Sequence, residues 1–268
     1  MMNYKSAFPG FAVLIVFCFT ATLAFSQDVN GSQGQTSRNY AETEKANPER
    51  KYNFLDRNLA EAVSIKLGKP EESISYYDIE SITSLILHES NINRIDDLSN
   101  FKNLSVLLMA YNNVRDISPL TDLENLTQLV LSDNPIESLE PLKNSKNLTE
   151  LHISNTNITD LSFISQNTDL TGLDISNCKL RDTSIIHNFT NITFLSAYNT
   201  GLSDIGFLKN FEKLSYLNLH SNIIRDLTPI RNLMELTFVN LRGNPISSDG
   251  DNKEALSLLK SRNCEVNY

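Results

Sequence analysis

Eight stretches of this chain begin 22 residues apart and hold register without an insertion. Aliphatic residues recur at Ile82, Leu104, Leu126, Leu148, Leu170, Ile192, Leu214 and Leu236. Three places on come Leu85, Leu107, Leu129, Leu151, Leu173, Leu195, Leu217 and Val239, and two further on Leu87, Met109, Leu131, Ile153, Ile175, Ala197, Leu219 and Leu241. A unit this short cannot close its own core, so it must stack on its neighbours. The L-x-x-L-x-L stretch alternates at period 2 and reads as a strand. The return path has room for a turn but no long helical pattern. The expectation is an α/β solenoid, an arc of about eight parallel strands on the concave face with short turns on the convex face.

Two polar columns support that fold. Asp116, Asp160, Asp182, Asp204 and Asp226 share one repeat position and are placed to cap a tight turn. Ser90, Asn112, Asn134, Thr156, Cys178, Thr200, Asn222 and Asn244 share another. Their side chains should point inward and bond loop backbone, more weakly in mid-array where Asn is missing.

The ends differ from the repeats. Of the 23 Lys and Arg, only Lys5 precedes residue 27, and none of the 32 Asp and Glu does. A run from Phe11 to Ala24 is apolar except for Thr20 and Thr22, and Ala24-Phe25-Ser26 offers a small-x-small exit. Residues 1–26 therefore read as a secretory signal peptide. An uncleaved anchor and a lipoprotein acylated at Cys18 are the alternatives; bulky Phe17 disfavours the second. Residues 27–50 are a polar linker. Residues 51–81 form an N-terminal cap, with Asp56 starting a helix that Gly68 stops. Repeats fill 82–248. Residues 249–268 form a closing cap, helical over Glu254 to Lys260.

The net charge of −9 and the lack of a basic run argue against a nucleic-acid partner. Membrane contact is expected only through an uncleaved or lipidated N-terminus. Cys178 and Cys264 lie about four units apart, on the order of 19 Å, too far for a disulfide. No cofactor is implied, and a monomer is expected.

The repeats resemble the 22-residue bacterial class of leucine-rich repeats, L-x-x-L-x-L-x-x-N-x-I-x-D-I-x-P-L, which Leu104 to Leu120 shows almost in full. The run Phe54-Leu55-Asp56-Arg57-Asn58-Leu59-Ala60-Glu61-Ala62, then Leu67-Gly68-Lys69, then Ile74 to Leu85, is similar to the N-terminal cap of internalins. The resemblance implies a curved parallel sheet whose concave face binds other proteins. No immunoglobulin-like domain or Leu-Pro-x-Thr-Gly tail follows, so a wall-anchored invasin is not expected. The rival is an intracellular scaffold or phosphatase-regulator-like repeat protein, which the export signal opposes.

Strand residues that do not face the core must face the concavity. Two clusters follow. One is aromatic with basic neighbours: Phe194, Tyr198, Tyr216, His220, Phe238 and Arg242. The other is aliphatic: Ile86, Val106, Leu108 and Val130, with Tyr111 beside them. Aromatics and Arg dominate interface energies, so the first is the candidate partner site, for a protein or else a peptide or glycan. The alternative that these residues only shield the sheet stays open for both clusters. A remote alternative is a hydrolase using His152, Asp174 and Ser154. An open sheet supplies neither a water-excluding pocket nor oxyanion donors, so no enzyme is expected. Glu150, His152 and Asp174 amount to a weak cation site at most, and no metal site is expected.

Overall fold

The computed structural model describes residues 50–268. The signal-peptide reading of 1–26, and the linker up to residue 49, lie outside the described residues. Helix α1, Arg57–Leu67, is capped by Asp56, whose carboxylate accepts from the N–H groups of Asn58 and Leu59. Gly68 ends it at φ 62°, a left-handed stop that glycine makes at no steric cost. Helix α2, Tyr76–Glu80, opens with a capping box between Ser75 and Asp78. Asp78 also takes Lys69 Nζ at 2.6 Å, which ties the two helices together.

Eight repeat strands follow: β1 Ser84–Ile86, β2 Val106–Leu108, β3 Gln128–Val130, β4 Glu150–His152, β5 Gly172–Asp174, β6 Phe194–Ser196, β7 Tyr216–Asn218 and β8 Phe238–Asn240. All pair in parallel and in sequence order, each residue opposite its equivalent 22 places on. The closing cap adds something the repeat pattern does not announce. Helix α3, Gly250–Ser261, packs Ala255, Leu256 and Leu259 inward. Asn263 then turns the chain at φ 62°, and β9, Glu265–Asn267, lies parallel to β8. The sheet has nine strands. The cap thus extends the edge by one short strand with exposed Glu265, rather than covering it with a helix.

Between strands the chain returns through 3-10 turns, such as Ser118–Leu120 and Thr228–Ile230. The aspartate column starts them: Asp116 accepts from Ser118 N–H at 2.8 Å, and Asp160, Asp182, Asp204 and Asp226 repeat the bond. Each strand is left through a residue at positive φ, from Glu89 at 52° through Asn155 at 55° to Gly243 at 71°. Asp, Asn or Gly hold most of these places; Glu89, Tyr111 and Ser221 hold the rest, at about 1 kcal/mol each.

The core is one continuous cluster from Tyr52 to Cys264. The middle residue of every repeat strand enters it, Leu85 through Val239. Phe101, Phe189 and Phe211 are fully buried at one repeat position behind the sheet. Mid-array that position holds Ser145 and Asn167, and Asn167 Nδ2 donates to Ser145 O at 2.6 Å. The asparagine column lies inside the turn. Asn222 Oδ1 accepts from Thr200 N–H and Leu202 N–H, while Nδ2 donates to Ala197 O and Leu219 O. Thr156 makes one backbone bond within its own repeat, to Ile153 O, so the ladder is thinner in mid-array. Cys178 and Cys264 are buried free thiols.

The Asn-x-Ser/Thr triplets have a structural origin. Asn103, Asn125 and Asn147 donate to carbonyls of the preceding repeat. The hydroxyls of Ser105, Thr127 and Thr149 do the same two places later.

Candidate functional site

Period-2 alternation sends the outer residues of each strand to the face opposite the core. The aromatic column on that face is continuous. The rings of Phe194 and Tyr216 stack at 4.6 Å with 11° between planes, and those of Tyr216 and Phe238 at 4.7 Å with 8°. These separations match the ~4.8 Å strand spacing, so parallel pairing in register is what stacks them. Stacking covers the ring faces and turns ring edges toward solvent. Phe194 is only 5% exposed, Tyr216 and Phe238 are half-buried, and Tyr198 is half-buried as well. A fully exposed aromatic patch is therefore corrected to a stacked ridge. Phe194 is buried by its neighbours on the concave side and stands outside the core cluster, so it remains on the face that alternation assigns it. Burial pushes the Tyr216 phenol up to about 12, with Asp174 and Glu265 adding to it.

The ridge is flanked by polar groups. His220 Nδ1 bonds Arg242 O at 2.9 Å, and its Nε2 meets Ser221 Oγ at 3.1 Å. Arg242 is exposed and reaches Asn267 Oδ1 at 3.4 Å, a contact that β9 supplies. Asn177 bonds the Tyr198 hydroxyl and Asn155, and Asn199 donates to Asn177 at 2.7 Å.

The aliphatic cluster survives in part. Ile86 is 62% exposed, Tyr111 lies at the surface, and Val106 and Leu108 are half-buried. Val130 is buried: Leu108 and His152 flank it in register on the neighbouring strands. It presents no surface, and its place in the second patch is withdrawn.

The hydrolase constellation is not assembled. His152 Nε2 faces Glu150 Oε2 at 3.4 Å, Ser154 donates to Ser132 Oγ at 2.9 Å, and Asp174 accepts from Ser176 N–H at 2.9 Å. Residues two apart on one strand share a face, which brings Glu150 to His152. Gly172 completes the arrangement, because a Cβ there would come within 1.6 Å of Glu150 Oε2. The Glu150 carboxylate lies in the space that other strands fill with a side chain, and Thr171 Oγ1 lies 3.1 Å from its other oxygen. Among the described residues, no group of three or more His, Cys, Asp or Glu is placed to hold a metal ion. None of their helices is long and apolar enough to cross a membrane.

Asp133, just after β3, was not singled out by the repeat pattern. Burial raises its pKa and the charge of Asp174 adds to this, against hydrogen bonds from Asn155 and Tyr111. A carboxyl whose folded pKa exceeds its unfolded value costs stability wherever both forms are ionised, and the cost vanishes as pH falls below the carboxylate range. Asp133→Asn is therefore expected to raise the melting temperature by a few degrees near neutral pH and to leave it unchanged near pH ~3. Thermal unfolding at the two pH values reads this. A lower melting temperature at neutral pH would show that the carboxylate stabilises the fold instead.

Comparison with known proteins agrees with the geometry. A family model described as leucine-rich repeats (2 copies) matches residues 102–144, 146–187 and 190–232. Internalin C2 from Listeria monocytogenes superimposes with a TM-score of 0.59 at 28% identity, covering 70% of this chain and 94% of that one. A second internalin of that organism gives 0.63 at 28% identity, covering 77% and 74%. A leucine-rich-repeat protein from Leptospira interrogans, at 24% identity, TM-score 0.60 and coverage of 71% and 50%, shares the fold. No curated protein sequence matches the chain. The chain is a leucine-rich-repeat protein of the bacterial 22-residue class, closed at its N-terminal end by an internalin-like cap.

Proposed function

We propose that this protein is an exported, non-enzymatic recognition module that binds a partner protein on its concave face. The observation that carries the reading is the stacked ridge of Phe194, Tyr216 and Phe238, bordered by Tyr198, His220 and Arg242. Tyr216 and Phe238, pre-ordered by stacking on buried Phe194, lose little conformational freedom when a partner covers them, which favours tight contact. Ring edges with one phenol suit a protein surface better than a sugar, whose flat apolar face needs an open ring face. Likeness to internalins supports export, as does the composition of residues 1–26.

The test is affinity capture with the full chain, wild type against Tyr216→Ala and Phe238→Ala. A protein retained by the wild type should bind each variant more weakly by roughly 1–3 kcal/mol, measured by calorimetry. Unchanged affinity in both variants removes the site. Mass spectrometry of the mature N-terminus tests export: a start at Gln27 is expected, and an intact Met1 would overturn it.

A further inference from the structure

The centre of the concave face holds more hydrogen-bond acceptors than donors. Gln128 on β3 pairs in register with Glu150 on β4, and His152 on β4 with Asp174 on β5. His152 is 3% exposed and its Nδ1 has no partner. With the proton on Nε2, toward Glu150, Nδ1 is a bare lone pair. Gln128 is 7% exposed, and its Oε1 is an acceptor without a donor. The negative charge of Asp174 adds to burial in raising the Asp133 carboxyl. Among the described residues, the Lys and Arg ion pairs lie elsewhere, at Lys69–Asp78, Arg94–Asp96, Lys102–Asp122 and Lys143–Glu140. Arg242 follows β8, three strands from Asp174, on the order of 14 Å away.

We propose that this centre receives the guanidinium of an arginine carried by the partner. The carboxylates of Glu150, 17% exposed, and half-buried Asp174 are the acceptors a partner's donor can reach, and unpaired Gln128 Oε1 and His152 Nδ1 behind them add to the demand for a charged donor. A guanidinium brings five N–H donors in a planar fork that matches a carboxylate. It is weakly hydrated and packs on aromatic rings, here Tyr198, whose backbone N–H donates to Ser176 Oγ next to the Asp174 side chain. An ammonium brings three donors and holds its water more tightly, so arginine is favoured over lysine. Gly172 belongs to the same design, since any larger residue there would evict the Glu150 carboxylate. The inference rests on the reading that a protein docks on the concave face, and adds what that protein must carry.

The experiment is an NMR titration of the isotope-labelled full chain with Nα-acetyl-arginine amide, its lysine counterpart and its uncharged citrulline counterpart. The arginine compound should shift the His152 imidazole and Gln128 carboxamide signals saturably. The lysine compound should be weaker by roughly threefold or more, and citrulline should leave both signals in place. Glu150→Gln and Asp174→Asn should each weaken the arginine response by about fivefold or more, with the melting temperature confirming that each variant is folded. An absent arginine response, an equal response to citrulline, or a response to calcium chloride in its place overturns the proposal. Failure here is distinct from failure of the partner reading. Arginine binding with partner capture indifferent to both Tyr216→Ala and Phe238→Ala would sink that reading and leave this site standing; capture lost in those variants without arginine binding would do the reverse.

Discussion

Asn222→Leu is expected to destabilise the protein by roughly 3–5 kcal/mol. The side chain is buried, and its carboxamide serves the N–H groups of Thr200 and Leu202 and the carbonyls of Ala197 and Leu219 at 2.8–3.1 Å. Leucine fills a similar volume but leaves these backbone groups without partners, each at about 1–3 kcal/mol before relaxation. Repeats touch only their neighbours, so the damage should stay local. Native-state hydrogen exchange should show β7, β8, α3 and β9 opening, while the Leu107 and Leu129 amides keep their protection. Thr156→Ala is the control. It removes a single backbone bond, Thr156 Oγ1 to Ile153 O at 2.7 Å, and should cost about 1 kcal/mol. Equal losses in the two variants would refute the claim that asparagine holds these turns together.

Phe211→Ala should cost about 3–5 kcal/mol and lower the melting temperature on the order of 10 °C. Phe211 is fully buried on the side of the sheet away from the site, with Phe207 edge-on at 5.7 Å. Truncation removes the ring and leaves a void that the surrounding turns cannot fully fill. Because Phe211 belongs to the same core cluster as Leu195 and Leu217, the middle residues of β6 and β7, near-ultraviolet circular dichroism should weaken together with the thermal transition. A loss below about 1 kcal/mol would mean that the layer collapses freely and that the phenylalanine column is not a structural spine.

Most of the fold was legible because the 22-residue register never slips. Strand faces, the asparagine column and the aspartate-started turns all follow from counting. The ninth strand did not, since Glu265-Val266-Asn267 carries no L-x-x-L signature and is placed only by the turn at Asn263. The phenylalanine column was hidden for a similar reason: Ser145 and Asn167 interrupt it, so it does not read as apolar. At the site, alternation told which face Phe194 and Val130 occupy but not how neighbours on that face cover them. That cover arises from ring stacking and side-chain crowding between strands, which no single strand encodes. The Glu150–His152 contact had a readable signal. Gly172 is the one residue without a side chain in a column otherwise occupied, and an acidic neighbour fills the vacancy.

The unbroken register has a metrical consequence. Equivalent atoms along the sheet stand ~4.8 Å apart, like graduations on a ruler. A fully extended segment laid across them advances ~3.4 Å per residue, so it falls out of phase at once and regains it closely only after about seven residues, at ~24 Å. A helix laid the same way rises ~4.5 Å over three residues and keeps step for several graduations. The spacing of this array therefore discriminates between partner shapes before any side chain is read.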